Sequence, residues 1–380
     1  MASSLPNNPS LDRLRAEARA LQRSERTALH EAQFSVARRY GFTGWPALVH
    51  YLKLAAPLTV DPSRVDEDAL DTADRFCSLA SLRYDDSDAP PRWQSAADLL
   101  TAHPDLTERH VWAAASAVDT GALSRHLRTD SARAQGGPFG WEPLMYLCYS
   151  RVSLGRTRDD LLAAARLLLD AGADPNAGYL WCGMSTPFTA LTGAFGEGEQ
   201  GSRRQPRHPF AADLATLLLE RGAHPVDQQT LYNRMFRADD SHLHLLFDHG
   251  LAGAGPSPWE RRLGDAMETR AQMWQRQIEW AAEHGFGDRL TLLSANGIDI
   301  GKAVAAVREL PADLSALDDG GATPLHHAAW DGDLDAIRRL LDAGADPRIT
   351  DTRFDATPLG WAEHAYQSEA ANLLRRHTSE

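Results

Sequence analysis

The residue types that could do chemistry in this chain fall into three groups, and their spacing decides what each can do. Gly196-Glu197-Gly198-Glu199-Gln200-Gly201 spells the G-x-G-x-x-G pattern, which cradles a pyrophosphate when it joins a strand to a helix. Here it follows a presumed helix, and Ser202-Arg203-Arg204-Gln205-Pro206 after it does not open one. The two glutamates would also repel phosphate, so the stretch Gly196 to Pro209 reads as a flexible polar insertion. His242, His244 and His249 form the second group. On a helix, i and i+2 face different ways, whereas paired metal ligands usually stand at i and i+4, so structural histidines are expected and no metal. Cys77, Cys148 and Cys182 make up the third group. They include no C-x-x-C and no close pair, so small buried apolar residues are expected rather than a disulfide or a zinc cluster. Nothing matches a nucleophile motif, so the chain is expected to be no enzyme and to carry no cofactor. The alternative is an enzyme or small-molecule binder with a site in residues 227–310, where Arg234, Arg237, His242, Trp274 and Trp280 would converge on a cavity.

The elements that must position these residues are helical. In Thr323-Pro324-Leu325-His326-His327-Ala328-Ala329, the threonine suits a helix N-cap and the proline the first helical position. Leu334, Ile337, Leu340 and Leu341 then recur at helical spacing, and Gly344 closes that helix before Pro347 turns the chain away. Asp342-Ala343-Gly344-Ala345-Asp346-Pro347 is matched by Asp170-Ala171-Gly172-Ala173-Asp174-Pro175, and more loosely around Gly222, Gly250 and Gly297. The spacings between these glycines, 50, 28, 47 and 47, are irregular. Helix openings recur as Glu142-Pro143-Leu144, Thr186-Pro187-Phe188 and Thr357-Pro358-Leu359.

These residues resemble the ankyrin repeat, a two-helix unit of about 33 residues. The resemblance implies an all-α, ankyrin-type helical repeat solenoid, because one such unit cannot bury its apolar face and several must stack. Two strong repeats follow residue 318, two fair ones lie between 138 and 226, and two degenerate ones between 227 and 300. The segment around Phe34, Tyr40-Gly41-Phe42 and Trp45-Pro46 resembles a helical segment that precedes ankyrin repeats in many bacterial proteins, and a capping role is the natural inference. Residues 1–56 are therefore expected as an N-terminal helical cap, 62–138 as degenerate helical repeats, and 139–380 as the repeat array. Pro57 to Pro62 reads as a linker and Tyr84 to Arg92 as a mobile loop.

In the family, partners are commonly held at the turn tips and on the exposed face of each first helix. Aligned on the Thr-Pro-Leu elements, those positions fall on Asp319, Trp330 and Asp331 in one repeat, and on Arg353, Phe354 and His364 in the last. They fall on Phe139, Trp141 and Tyr149 in the repeat opening at Glu142. Trp181 is assigned in a repeat that departs from the pattern, with Met184 where glycine is expected. The resemblance also implies that His326 bonds locally.

Composition narrows the partner. Net charge is −13, and the first 53 residues carry +4 of it, from eight Lys or Arg against four Asp or Glu, leaving −17 elsewhere. An acidic body lacks the clustered cations that a nucleic-acid groove needs. No signal peptide pattern and no apolar run of membrane-spanning length is present, so a cytoplasmic chain without a membrane partner is expected. Arginine outnumbers lysine 37 to 2, a coding bias typical of a GC-rich bacterial genome. The expectation is a monomer that binds another protein on its concave face.

Overall fold

The computed structural model describes residues 5–301, 313–318 and 320–378. They are α-helical, in the helix-pair arrangement of ankyrin-type repeats, apart from one small sheet. A short first helix and a longer second helix recur as Pro143–Tyr149 with Arg158–Asp170, Pro324–Asp331 with Leu334–Asp342, and Pro358–His364 with Ser368–Thr378. Proline opens each first helix, where its missing N–H is no loss. Thr157 and Asp160 close a reciprocal cap on the helix at Arg158, with contacts of 3.2 and 2.9 Å. The second helices stop at Gly172, Gly222, Gly250, Gly297 and Gly344, all with φ between +80° and +99°. Only glycine takes that conformation cheaply, which is why the motif carries it.

The chain divides into two compact units. The first comprises residues 1–194, 208–229 and 254–269. In it, the N-terminal helices Leu11–Glu25, Leu29–Arg39 and Trp45–Ala55 bury Leu14, Val36, Leu48 and Tyr51 in one cluster with Leu180, Trp259 and Leu263. The segment thus shares its core with residues far along the chain. Thr59–Val60 pairs in parallel with Leu180–Trp181, and Gly178–Leu180 pairs antiparallel with Pro187–Thr189. Two expectations are corrected here. The stretch from Pro57 to Pro62 contains a strand, and Thr186-Pro187-Phe188 leads into a strand instead of opening a helix. Pro187 is tolerated because it begins an edge strand.

Tyr84 to Arg92, expected as a mobile loop, is anchored from within. Asp88 is fully buried and accepts the backbone N–H groups of Arg83 at 3.1 Å and Tyr84 at 2.7 Å. Arg92 donates to the Ser81 carbonyl at 2.8 Å and pairs with Glu67 at 2.6 Å. Burial pushes the Asp88 carboxyl up to about 7.

The second unit comprises residues 195–207, 230–253 and 270–380. The insertion after Gly196 belongs to it, and it is not loose. Glu197 is buried and meets Arg234 at 2.8 Å and Arg207 at 2.5 Å. Asp239 completes the set, 2.5 Å from Arg207 and 3.4 Å from Arg234. Burial pushes the Asp239 carboxyl up, but the two guanidiniums outweigh it and hold the group below the usual carboxylate range. A buried guanidinium such as Arg234 requires opposite charge nearby, and the insertion supplies it.

Replacing Glu197 by glutamine keeps the shape and removes the charge. Breaking a buried pair in this way is expected to cost about 3–5 kcal/mol, read from urea unfolding of the variant against the parent chain. A loss below about 1 kcal/mol, as for an exposed pair, would show that Glu197 does not anchor the insertion.

Candidate functional site

The two C-terminal helix pairs are tied to each other through side chains that the repeat pattern dictates. His326 is buried, and its Nδ1 accepts the Thr323 N–H at 3.2 Å. Its Nε2 donates to the Ala356 carbonyl of the next pair at 2.9 Å. Burial lowers its pKa and so favours the neutral imidazole, whose tautomer is set by these two bonds. Asp351 is the second tie. Its carboxylate accepts the backbone N–H groups of Arg353 at 2.8 Å, Phe354 at 2.6 Å and Ala356 at 3.1 Å, and the Trp361 indole at 2.9 Å. Burial opposes ionisation there, yet these bonds bring the pKa down to about 2.

These ties hold a row of aromatic side chains at the surface. Trp330 is 43% exposed, lies edge-on to Trp361 at 5.8 Å and stacks on His364 at 5.9 Å. Phe354, at the turn tip, is 65% exposed, with the Arg353 guanidinium 5.1 Å from its ring centre. Tyr366, 51% exposed, ends the first helix of the last pair. Trp330, Arg353, Phe354 and His364 are therefore exposed and grouped in these two pairs. Tyr366 was not singled out by the sequence. The available signal was its alignment with Gly332, which holds the same place in the preceding pair.

Other positions expected at the surface are corrected. Asp331 is 7% exposed, faced by Arg237, Arg289 and Asp333. Phe139, Trp141 and Tyr149 are core. Trp141 is 3% exposed and packs 4.5 Å from Phe139, 4.8 Å from Tyr179 and 5.1 Å from Tyr149. The cause is the hairpin of residues 178–189, whose Tyr179 lies on the rings of Trp141 and Tyr149. Trp181, on the same hairpin, is half-buried and donates to the Arg83 carbonyl at 3.0 Å. Asp319 lies outside the described residues.

None of Arg234, Arg237, His242, Trp274 and Trp280, the residues of the alternative site, lines the nearby cavity. His242 is fully enclosed, and burial, reinforced by the Arg234 and Arg289 charges, holds its pKa well below the imidazole range. Trp274 stacks on Phe247 at 6.1 Å and Trp280 on His284 at 3.9 Å. That cavity, of about 710 Å³, is lined among others by Asp239, Asp240, Phe286, Arg289, Asp333 and Arg339. Three of its aspartates are in structural use. Asp239 and Asp333 accept backbone N–H groups at the helix starts, each at 2.8 Å, and Asp240 pairs with Arg289 at 2.6 Å. In the first unit, Asp71, Asp74 and His110 bring one ligand atom each within 4.8 Å of one another. Asp71 Oδ1 already caps a helix, accepting the Ala73 and Asp74 N–H groups at 2.9 Å.

The family model described as ankyrin repeats (many copies) matches residues 306–359. Over 77 residues the chain is 40% identical to the serine/threonine-protein kinase VIK of Arabidopsis thaliana. That match spans 19% of this chain and only 17% of the kinase. Among solved structures, the human ASB11 ankyrin repeat domain is similar at 19% identity and a TM-score of 0.31, with 70% of this chain and 96% of that one covered. EF0377, an ankyrin repeat protein, is similar at 20% identity and a TM-score of 0.22, with the same coverage.

Burial raises the Asp331 carboxyl to about 8, whereas it titrates near ~4 in an unfolded chain. Between those values the folded state binds the extra proton, so stability falls as pH rises, by up to about 1.4 kcal/mol per pH unit. Asp331→Asn should flatten that decline, matching the parent near pH ~4 and exceeding it near pH ~8. Parallel pH profiles of denaturant midpoints for the two proteins would rule this out.

Proposed function

We propose that the chain is a non-catalytic protein-binding module whose partner docks on the aromatic row of the C-terminal helix pairs. One observation carries this reading. Of six exposed large hydrophobic residues among those described, four, Leu317, Trp330, Phe354 and Tyr366, fall in this stretch. Exposed aromatic side chains grouped with arginine are the usual anchors of a protein interface, because they bury much area at low entropic cost. His326 and Asp351 support the row from behind, so little ordering remains to be done on binding. The partner is another protein, met by a monomer in the cytoplasm. The three cysteines are buried free thiols, which suits a reducing compartment. Among the described residues, no helix is long and apolar enough to cross a membrane.

A second reading, a small-molecule site, has the 710 Å³ cavity in its favour, since ligand pockets commonly have that size. Asp239, Asp240, Asp333 and Arg289 of its wall are already committed to caps and ion pairs, and this makes it the weaker of the two.

Replacing Trp330 and Phe354 together by alanine should weaken a cross-linked or captured partner at least about tenfold while moving the thermal midpoint little. Trp141→Ala, by contrast, removes a core side chain and should cost about 3–5 kcal/mol. If the double variant instead unfolds, or holds its partner unchanged, the row is not the binding face.

A further inference from the structure

We propose that the aromatic row receives an acidic peptide segment of its partner, whose carboxylates pair with Arg203 and Arg353. This deepens, and rests on, the reading of the row as the binding face. Each guanidinium lies over an exposed ring, Arg353 over Phe354 at 5.1 Å and Arg203 over Tyr366 at 5.2 Å, and Arg203 also donates to the Tyr366 hydroxyl. Among the described residues neither has a carboxylate within ion-pair distance. Two other arginines of the same helix pairs do, Arg348 2.9 Å from Asp346 and Arg375 2.7 Å from Glu363.

The nearby carboxylates are mostly engaged. Asp351 is taken up by its four hydrogen bonds, Asp318 by His327 at 2.7 Å and Glu363 by Arg375, while Asp355 remains exposed at the tip. The row therefore presents rings and unpaired planar cations together. A guanidinium near a ring retains N–H groups with which it can bind a carboxylate through two parallel bonds. The whole chain carries −13, so bulk attraction does not draw an acidic segment in. Selection has to come from these two local pairs.

Tyr366 is also held in a strained backbone conformation. Its φ is +58°, and at the matching turn of the preceding pair Gly332 has φ +70°. A bulky side chain is strained in that conformation, where glycine is not. The chain nevertheless places a half-exposed tyrosine there, under Arg203. The strain is offset at least in part by the contact with Arg203.

The test is selection of a displayed library of short random peptides on the full chain. Recovered sequences should be rich in Asp and Glu around an apolar residue. The Arg203→Glu/Arg353→Glu double variant, altered at two exposed positions, should lose them and recover Lys- and Arg-rich sequences instead. Tyr366→Gly should raise the thermal midpoint by a few degrees and weaken the recovered peptides about tenfold. Peptides that need Trp330 and Phe354 yet show no acidic bias, or acidic peptides indifferent to charge reversal, overturn this inference and leave the binding face standing. Recovery of no peptide, or only of peptides indifferent to Trp330 and Phe354, removes the face and the inference together. A Tyr366→Gly variant that is less stable, or that binds unchanged, shows that the tyrosine serves the fold.

Discussion

The surface geometry of the C-terminal helix pairs hangs on the Asp351 carboxylate. Four donors converge on it, three from the backbone of the turn at 353–356 and one from the Trp361 indole. A turn tip has few contacts of its own and would otherwise sample many shapes. With its N–H groups spent on one buried anion, it has one shape, and Phe354 has one place. Trp361, gripped at its nitrogen by the same carboxylate, is the surface against which Trp330 lies. His326 extends the tie to the preceding pair through the Ala356 carbonyl. Thus the two ends of the exposed row are set by polar groups that are themselves shielded from water.

The same residue types have the opposite fate in the first unit. Phe139 and Tyr149 stand at the positions that leave Phe354 and Trp330 exposed, yet with Trp141 they form a ring cluster with Tyr146 and Tyr179. The difference is a covering element. Thr59–Val60 and the hairpin 178–189 make a small sheet, and its Tyr179 and Phe188 supply the apolar face that the rings need. Aromatic area of that size is buried wherever something can cover it. Where the chain offers no cover, a partner can provide it.

This contrast also explains how far the sequence could be read. The C-terminal pairs were legible because every local signal agrees: Pro324 and Pro358 at helix starts, Gly344 at a helix end, and His326 between its threonine and the next turn. The glycine stops at 172, 222, 250 and 297 were legible for the same reason, since each needs φ > 0. The burial of Phe139 and Trp141 was not. It depends on strand pairing between residues 59–60 and 180–181, and such long-range pairing leaves no local trace. Glu197 and Asp88 were misjudged for a related reason. A carboxylate among glycines or aspartates reads as loop, but burying an arginine such as Arg234 or Arg92 calls for one in the interior. Tyr366 was hidden by its substitution for the glycine that marks that turn in the preceding pair.

Hydroxyl-radical footprinting of the free chain and of the chain bound to its selected peptide is the most direct test of the central claim. Trp330, Phe354 and Tyr366 should oxidise rapidly in the free chain and become protected on binding, while Trp141 and Tyr149 stay protected in both states. Slow oxidation of Trp330 and Phe354 in the free chain, or unchanged oxidation of both in the complex, would contradict the account.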